Sequence, residues 1–353
     1  MTSLTDAAEI VIGVDTHVHT HTAAAVDAHT GGVLDQITID TTPGGYTRLV
    51  TFADAHAARR VWAIEGTGGH GAGLARHLTH RGEIVIELDR PERARRRNGA
   101  KSDPLDAIRA AREALARPRL GTPRQAGDRQ ALSVLLAARR SAVQSATDAQ
   151  RQLFSLVIAA PEPVRARFRG QKLPAMLTTA THLRTHRCWD TETTTTITVL
   201  RDLARRVAAL TTEAATHRQK IATIVTSWRP DLLAQPGVGP IVAATVLCAW
   251  SHHGRIHSEA AFAMLAGTAP IPANSGQTTT RYRLNRHGDR QLNRALHTVL
   301  TTRITCHPAT RAYIQRRTTE GKTKPEIKRC LKRYIARDLY RLLQNDPRPL
   351  DEP

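Results

Sequence analysis

Four acidic residues, Asp15, Glu65, Asp103 and Asp106, have the types and the spacing to do chemistry together. Asp15 closes the apolar run IVIGVD, Glu65 closes RRVWAIE, and Asp103 and Asp106 stand at i and i+3 where a helical pattern begins. That spacing puts the two aspartates on one helix face. If the strand ends and the helix start converge, four carboxylates share one place. There they repel one another and hold protons unless a divalent cation neutralises them. Mg²⁺, or Mn²⁺ in its stead, suits such a site, because it takes oxygen ligands and keeps waters that a phosphate can replace. The chemistry would be phosphoryl transfer, with the cation polarising a scissile phosphate and steadying the attacking and leaving oxygens.

Two other readings compete for these residues. Asp103 precedes Pro104 as an N-cap precedes proline at the first helical position, and Asp106 would then complete something like a capping box. The full order, acid on strand, acid on strand and paired acids at a helix start, favours the metal site. The segment Asp15-Thr-His17-Val-His19 also resembles the HxH that opens zinc-dependent amidohydrolase barrels. A barrel needs eight strand–helix units, yet strand signals fade after residue 89. A solvated hairpin edge is the role expected of these histidines.

The elements that must position the acids follow from the patterning. IVIGVD predicts a strand over 10–15, and AAAVDAHTGGVLDQITI continues as a hairpin turning at Thr30-Gly31-Gly32. A helix over about 45–56, the strand RRVWAIE, a helix from His70 to Arg81 and a strand over 83–89 come next. A hairpin-rich start followed by alternating helix and strand is the order of an RNase H-like α/β domain, in which the first and fourth strands are neighbours. A dinucleotide-binding fold would carry its glycine fingerprint directly after the first strand, where none occurs.

From about Asp128 the periodicity is helical. Leu132, Leu135, Leu136, Val143, Leu153, Leu156 and Val157 fit one long helix and Thr198 to Trp228 a second, with Pro161, Pro163 and Pro174 in the connection. Such a helical hairpin or coiled-coil insert commonly serves dimerisation or spacing. Beyond Pro230, LLAQPGVGPIVAATV sets a Pro-Gly-Val-Gly turn between two apolar helices. In a helix-hairpin-helix that turn aims backbone N–H groups at a phosphate, and Gly237 and Gly239 permit the close approach. The expected domains are 1–125, 126–229 and a mostly helical 230–345, with a tail over 346–353.

Charge indicates the partner. The chain has 51 Lys+Arg against 31 Asp+Glu, a formal charge of +20, which suits a polyanion whose counterions are released on binding. Arg95, Arg96, Arg97 and Lys101, with Arg93, precede the aspartate pair, while Arg281, Arg283, Arg286, Arg290 and Arg294 form a second group. An arginine set of this kind clamps phosphates and stabilises transition-state charge. Cys188, Cys248, Cys306 and Cys330 form no CxxC pair, so they are expected to be reduced and mostly buried. The N-terminus lacks a basic leader, and the longest apolar run, Ile241 to Trp250, is too short to span a bilayer; a cytoplasmic protein is expected.

Five segments together, VDTHVHTHTAAAVD, WAIEGTGG, RNGAKSDPLDAIRAA, QPGVG and FAMLAGTAPIPANSGQ…RHGDRQLNRAL, resemble the DEDD transposases of the insertion-sequence-110 family. The resemblance runs from about residue 10 to 340. It implies a RuvC-like N-terminal domain, a coiled-coil segment and a C-terminal transposase domain. It makes Asp15, Glu65, Asp103 and Asp106 the metal-binding tetrad and Ser275, in Asn274-Ser275-Gly276, the nucleophile that bonds to DNA. It further implies double-stranded DNA at the element ends and target as partner, a structured noncoding guide RNA, and a dimer that becomes a tetramer in the synaptic complex. The implied location is bacterial and nucleoid-associated. One departure is Gly288-Asp289-Arg290, where relatives more often carry Gly-Asn. The residues leave two further functions open: a RuvC-like junction nuclease in which the carboxylates direct water, and a DNA-binding protein that uses only the Pro-Gly-Val-Gly turn.

Overall fold

The computed structural model describes residues 4–56, 59–88, 103–272, 282–283, 285 and 287–345. The chain divides into two compact units, 1–126 and 127–353. The first is α/β. A short helix, α1 (Leu4–Ala7), leads to β1 (Ile10–Thr16), β2 (Thr20–Asp27), β3 (Val33–Asp40), α2 (Pro43–Asp54), β4 (Arg60–Glu65), α3 (Ala72–His80), β5 (Val85–Leu88) and α4 (Asp103–Ala116). The sheet order is β3-β2-β1-β4-β5. β1, β2 and β3 form an antiparallel meander, whereas β4 runs parallel to both β1 and β5. The first and fourth strands are therefore neighbours.

Both central strands are apolar nearly throughout, as strands buried on two faces must be. On one face Ile10, Ile12, Val14, Trp62 and Ile64 pack against Leu49 and Val50 of α2 and Leu74 and Leu78 of α3. On the other, Val11, Val61, Ala63, Ile86 and Leu88 meet Ala110, Ala111 and Ala114 of α4. The alanine face of α4 lets it lie very close to β1. A Cβ on Gly13 would stand 2.0 Å from the Ala107 carbonyl oxygen and 2.6 Å from the Ala111 nitrogen, so only glycine fits beneath this helix.

The second unit is almost wholly helical. It opens with α5 (Asp128–Ala159), α6 (Glu162–Arg165), α7 (Leu173–Thr181) and α8 (Thr191–Trp228). The long pair is antiparallel: Leu132 near the start of α5 shares a core with Ile221 and Val225 near the end of α8. At the far end Leu153 and Val157 pack with Ile197, Leu200 and Val207, roofed by Phe168 and Met176. Between these two cores the buried side chains are alanines, Ala142, Ala146 and Ala214. Val143, expected on the apolar stripe, is 41% exposed, because the inward track runs through Ala142 instead. α8 also begins earlier than the expected Thr198. The Asp190 carboxylate accepts from the Thr193 N–H at 2.7 Å and starts the helix inside the threonine run.

The remaining elements are α9 (Pro230–Leu233), α10 (Pro240–Trp250), α11 (Glu259–Leu265), β6 (Ile271–Pro272), β7 (Tyr282–Arg283), α12 (Arg290–Cys306), α13 (Pro308–Thr319) and α14 (Lys324–Gln344). Val246, Leu247, Trp250, Phe262, Leu296, Leu300 and Leu339 complete the core at the base of the hairpin. Arg229, 3% exposed, pairs with Asp231 at 2.5 Å and donates to the Leu342 carbonyl at 2.8 Å. It thereby fastens the end of α8 to the end of α14. The cysteines are free, but Cys188 and Cys306 are exposed and Cys248 and Cys330 half-buried, so the expectation of burial fails. No helix among the described residues is long and apolar enough to cross a membrane.

Candidate active site

Asp15 is the penultimate residue of β1 and Glu65 the last of β4. The parallel register pairs Val14 with Ile64, so the two acids stand side by side one step further on. They share a sheet face as well. Val11 and Gly13 on β1, and Val61 and Ala63 on β4, look toward α4, and side chains two residues on return to that face. α4 begins over this edge with Asp103 as its first residue and Asp106 in its first turn.

The point of convergence is occupied by a residue assigned only a solvated role in the sequence. His17 Nε2 lies 3.2 Å from Asp15 Oδ2 and 3.5 Å from Asp103 Oδ1. Ligand atoms of Asp15, His17 and Asp103 all fall within 4.8 Å of one another. Asp106 instead accepts a 2.7 Å hydrogen bond from Arg109. Asp15 and Asp103 are thus brought together, Glu65 flanks them on the neighbouring strand, and Asp106 is turned to an arginine one turn along. The group is half-buried. A carboxylate–imidazole–carboxylate donor set that solvent can reach fits a divalent cation retaining several waters. Thr16 Oγ1 donates to the Glu65 carbonyl at 3.0 Å, tying the two strand ends that carry the acids.

His21 lies on the other side of the sheet, fully buried and stacked on Tyr46 with ring centroids 5.9 Å apart. Its Nδ1–H donates to the Thr20 carbonyl at 3.0 Å, and its Nε2 has no hydrogen-bond partner among the described residues. Burial lowers its pKa below the usual histidine range, against an opposing pull from the Thr20 carbonyl and the Asp15 carboxylate.

Ser275, with Arg95, Arg96, Arg97, Lys101, Arg281 and Arg286, lies outside the described residues. The ends of the serine segment are described: β6 and β7 pair antiparallel, Ile271 opposite Arg283. Asn293 Nδ2 donates to the Ala266 carbonyl at 2.7 Å, and Lys332 Nζ donates to Asn293 Oδ1 at 2.8 Å. Asp289 caps α12, accepting from the Gln291 and Leu292 N–H groups at 2.8 and 3.0 Å. Asparagine would cap as well, which makes the Gly-Asp departure harmless to this helix start. Arg283, Arg290 and Arg294 are exposed.

The Pro-Gly-Val-Gly turn joins α9 to α10. Gly237 has φ +82°, and a Cβ there would press on the Val299 carbonyl at 3.0 Å. Gly239 is the N-cap of α10 without a side-chain capping bond. Buried Arg303 donates to the Pro236 carbonyl at 2.9 Å and holds the turn against α12. A shallow hollow of about 460 Å³ opens there, lined by Arg218, Gln235, Gly237, Gly239, Thr298 and Thr302 among others. Arg218, Thr298 and Thr302 come from helices remote in sequence, so no local motif marks them.

Residues 230–315 match the Transposase IS116/IS110/IS902 family, and residues 12–159 match the DEDD-type transposases of IS110. An uncharacterized 42 kDa protein of insertion element IS900 from Mycobacterium paratuberculosis is 31% identical over 151 residues, covering 42% of this chain and 38% of the relative. An uncharacterized 43.6 kDa protein of insertion element IS110 from Streptomyces coelicolor is 31% identical over 116 residues, covering 33% and 29%. The matched stretches thus span less than two-fifths of either relative's length. Both the acid-bearing α/β unit and the segment around the Pro-Gly-Val-Gly turn are thus similar to IS110-type transposases, over residues 12–159 and 230–315.

Proposed function

We propose that this chain is a metal-dependent DNA transposase that cleaves and rejoins the ends of a mobile element. The observation that carries the reading is the convergence of Asp15, His17 and Asp103 where α4 starts over the ends of β1 and β4. A bound Mg²⁺ or Mn²⁺ would polarise the scissile phosphate and stabilise charge on its oxygens. Asp15 and Asp103 would hold the cation, with Glu65 and Asp106 completing the tetrad of a RuvC-like domain. Ser275 is the proposed nucleophile. Its Oγ forms a bond to phosphorus as the phosphorus–oxygen bond to the sugar breaks, the departing oxygen taking up a proton. The reverse displacement by a DNA hydroxyl rejoins the strand and frees the serine. Arg283, Arg290 and Arg294, with Arg281 and Arg286, would clamp phosphates around that step, and the α9–α10 turn would hold the duplex backbone. The net charge of +20 supports a nucleic-acid partner. Guide RNA and assembly into a dimer and tetramer rest on the family resemblance.

The test uses the full chain with its co-purifying RNA and DNA bearing the element ends. A detergent-resistant protein–DNA adduct is expected, present in the unaltered protein and absent in Ser275→Ala. Strand cleavage that persists in Ser275→Ala without an adduct would replace this reading with that of a nuclease whose carboxylates direct water.

A further inference from the structure

We infer that His17 is itself a ligand of the active-site cation, so that the centre is a mixed nitrogen–oxygen site with a weaker bias toward Mg²⁺ than an all-carboxylate site would have. The inference rests on the metal-centre reading above. Cis ligands of an octahedron with bonds of about 2.1 Å stand about 3.0 Å apart, and trans ligands about 4.2 Å. His17 Nε2 is 3.2 Å from one carboxylate oxygen and 3.5 Å from the other. These are close to cis separations. The same ring nitrogen faces both acids, so a cation bound between Asp15 and Asp103 meets it without a change of rotamer.

The backbone that presents the imidazole is fixed rather than free. The His17 N–H donates to the Thr20 carbonyl at 3.0 Å, and Thr41 Oγ1 donates to the Val18 carbonyl at 2.9 Å, so the β1–β2 turn is pinned at both ends. His17 is 47% exposed, which leaves room for water ligands on the open side. His19, two residues on, is exposed and belongs to no such group among the described residues. Imidazole is a good ligand for first-row transition cations, whereas Mg²⁺ favours carboxylate, carbonyl and water. A nitrogen in the first shell therefore shifts preference away from Mg²⁺.

Mn²⁺ is the probe. With one equivalent added to the full chain, pulsed electron paramagnetic resonance should show nitrogen hyperfine coupling from one directly bound imidazole. The coupling should vanish in His17→Ala. In His17→Gln, whose amide oxygen can replace the nitrogen, Mn²⁺ should still bind without the coupling. The excess of Mg²⁺ needed to displace Mn²⁺ should fall about tenfold in both variants. Tight Mn²⁺ binding that depends on Asp15, shown by its loss in Asp15→Asn, but lacks nitrogen coupling would overturn the role of His17 and leave the metal centre standing. Absence of a tight, Asp15-dependent Mn²⁺ site would overturn both.

Discussion

At the scale of single residues, the two histidines of the β1–β2 region do opposite things. His17 lies between two carboxylates at a solvent-reached edge, whereas His21 is buried against Tyr46, whose ring also meets His77. Protonating His21 would place an N–H on Nε2 where no acceptor stands among the described residues. Its folded pKa is lowered from 6.5, chiefly by burial, with the charges of His17 and His70 acting in the same direction. The neutral form is therefore the one the fold prefers. The stability that this preference contributes is present above about pH 6.5 and is lost as pH falls from there through the lowered folded value, because the unfolded chain then binds the extra proton. The α/β unit should melt at a lower temperature at pH 5 than at pH 7. His21→Phe, which keeps a stacking ring and removes the titration, should flatten that dependence in thermal melts followed by circular dichroism. The positions of Asp15, Glu65 and Asp103 could be picked out in the sequence because each stands at or next to an end of an element. The place of His17 could not, because the second carboxylate it faces arrives from residue 103, far along the chain.

At the scale of elements, the site depends on how closely α4 approaches β1. The contact is built from one glycine and a row of alanines, and it sets the height of Asp103 above Asp15. Gly13→Ala would drive a methyl group into the Ala107 carbonyl. The substitution should destabilise the α/β unit by roughly 3 kcal/mol and lift the start of α4. Even where the protein stays folded at low temperature, Mn²⁺ affinity should fall by at least about tenfold. Titration calorimetry against a folded control such as Gly44→Ala would check this, since a Cβ at Gly44 meets nothing nearer than Thr42 Oγ1 at 4.0 Å and α2 packs on the sheet face opposite α4. Wild-type affinity in Gly13→Ala would show that the docking of α4 does not position the acids. Strands β1 and β4 were readable from their unbroken apolar runs. The inward track of α5 was not, because alanine weighs little in any periodicity, so Val143 drew the stripe one residue away from Ala142.

At the scale of the whole molecule, the order of an α/β unit followed by helices is legible from the switch of period near Asp128. The way the long hairpin divides is not, since it depends on which side chains meet across helices joined only through a long connection. Hydrophobic side chains collect at its base and at its tip, and the buried side chains of the stretch between are alanines. A buried methyl group contributes about 0.8 kcal/mol, several times less than a leucine or isoleucine at the same position. The middle of the hairpin therefore couples its two ends weakly. Amide hydrogens of α6, α7 and the adjoining turns of α5 and α8 should exchange with deuterium as one set, faster than those of α10 and α12. The paired substitution Leu153→Ala and Ile197→Ala should quicken the first set and leave the second unchanged. The hairpin would then breathe from its outer end as a separate cooperative unit, able to yield to a partner there while the base stays folded.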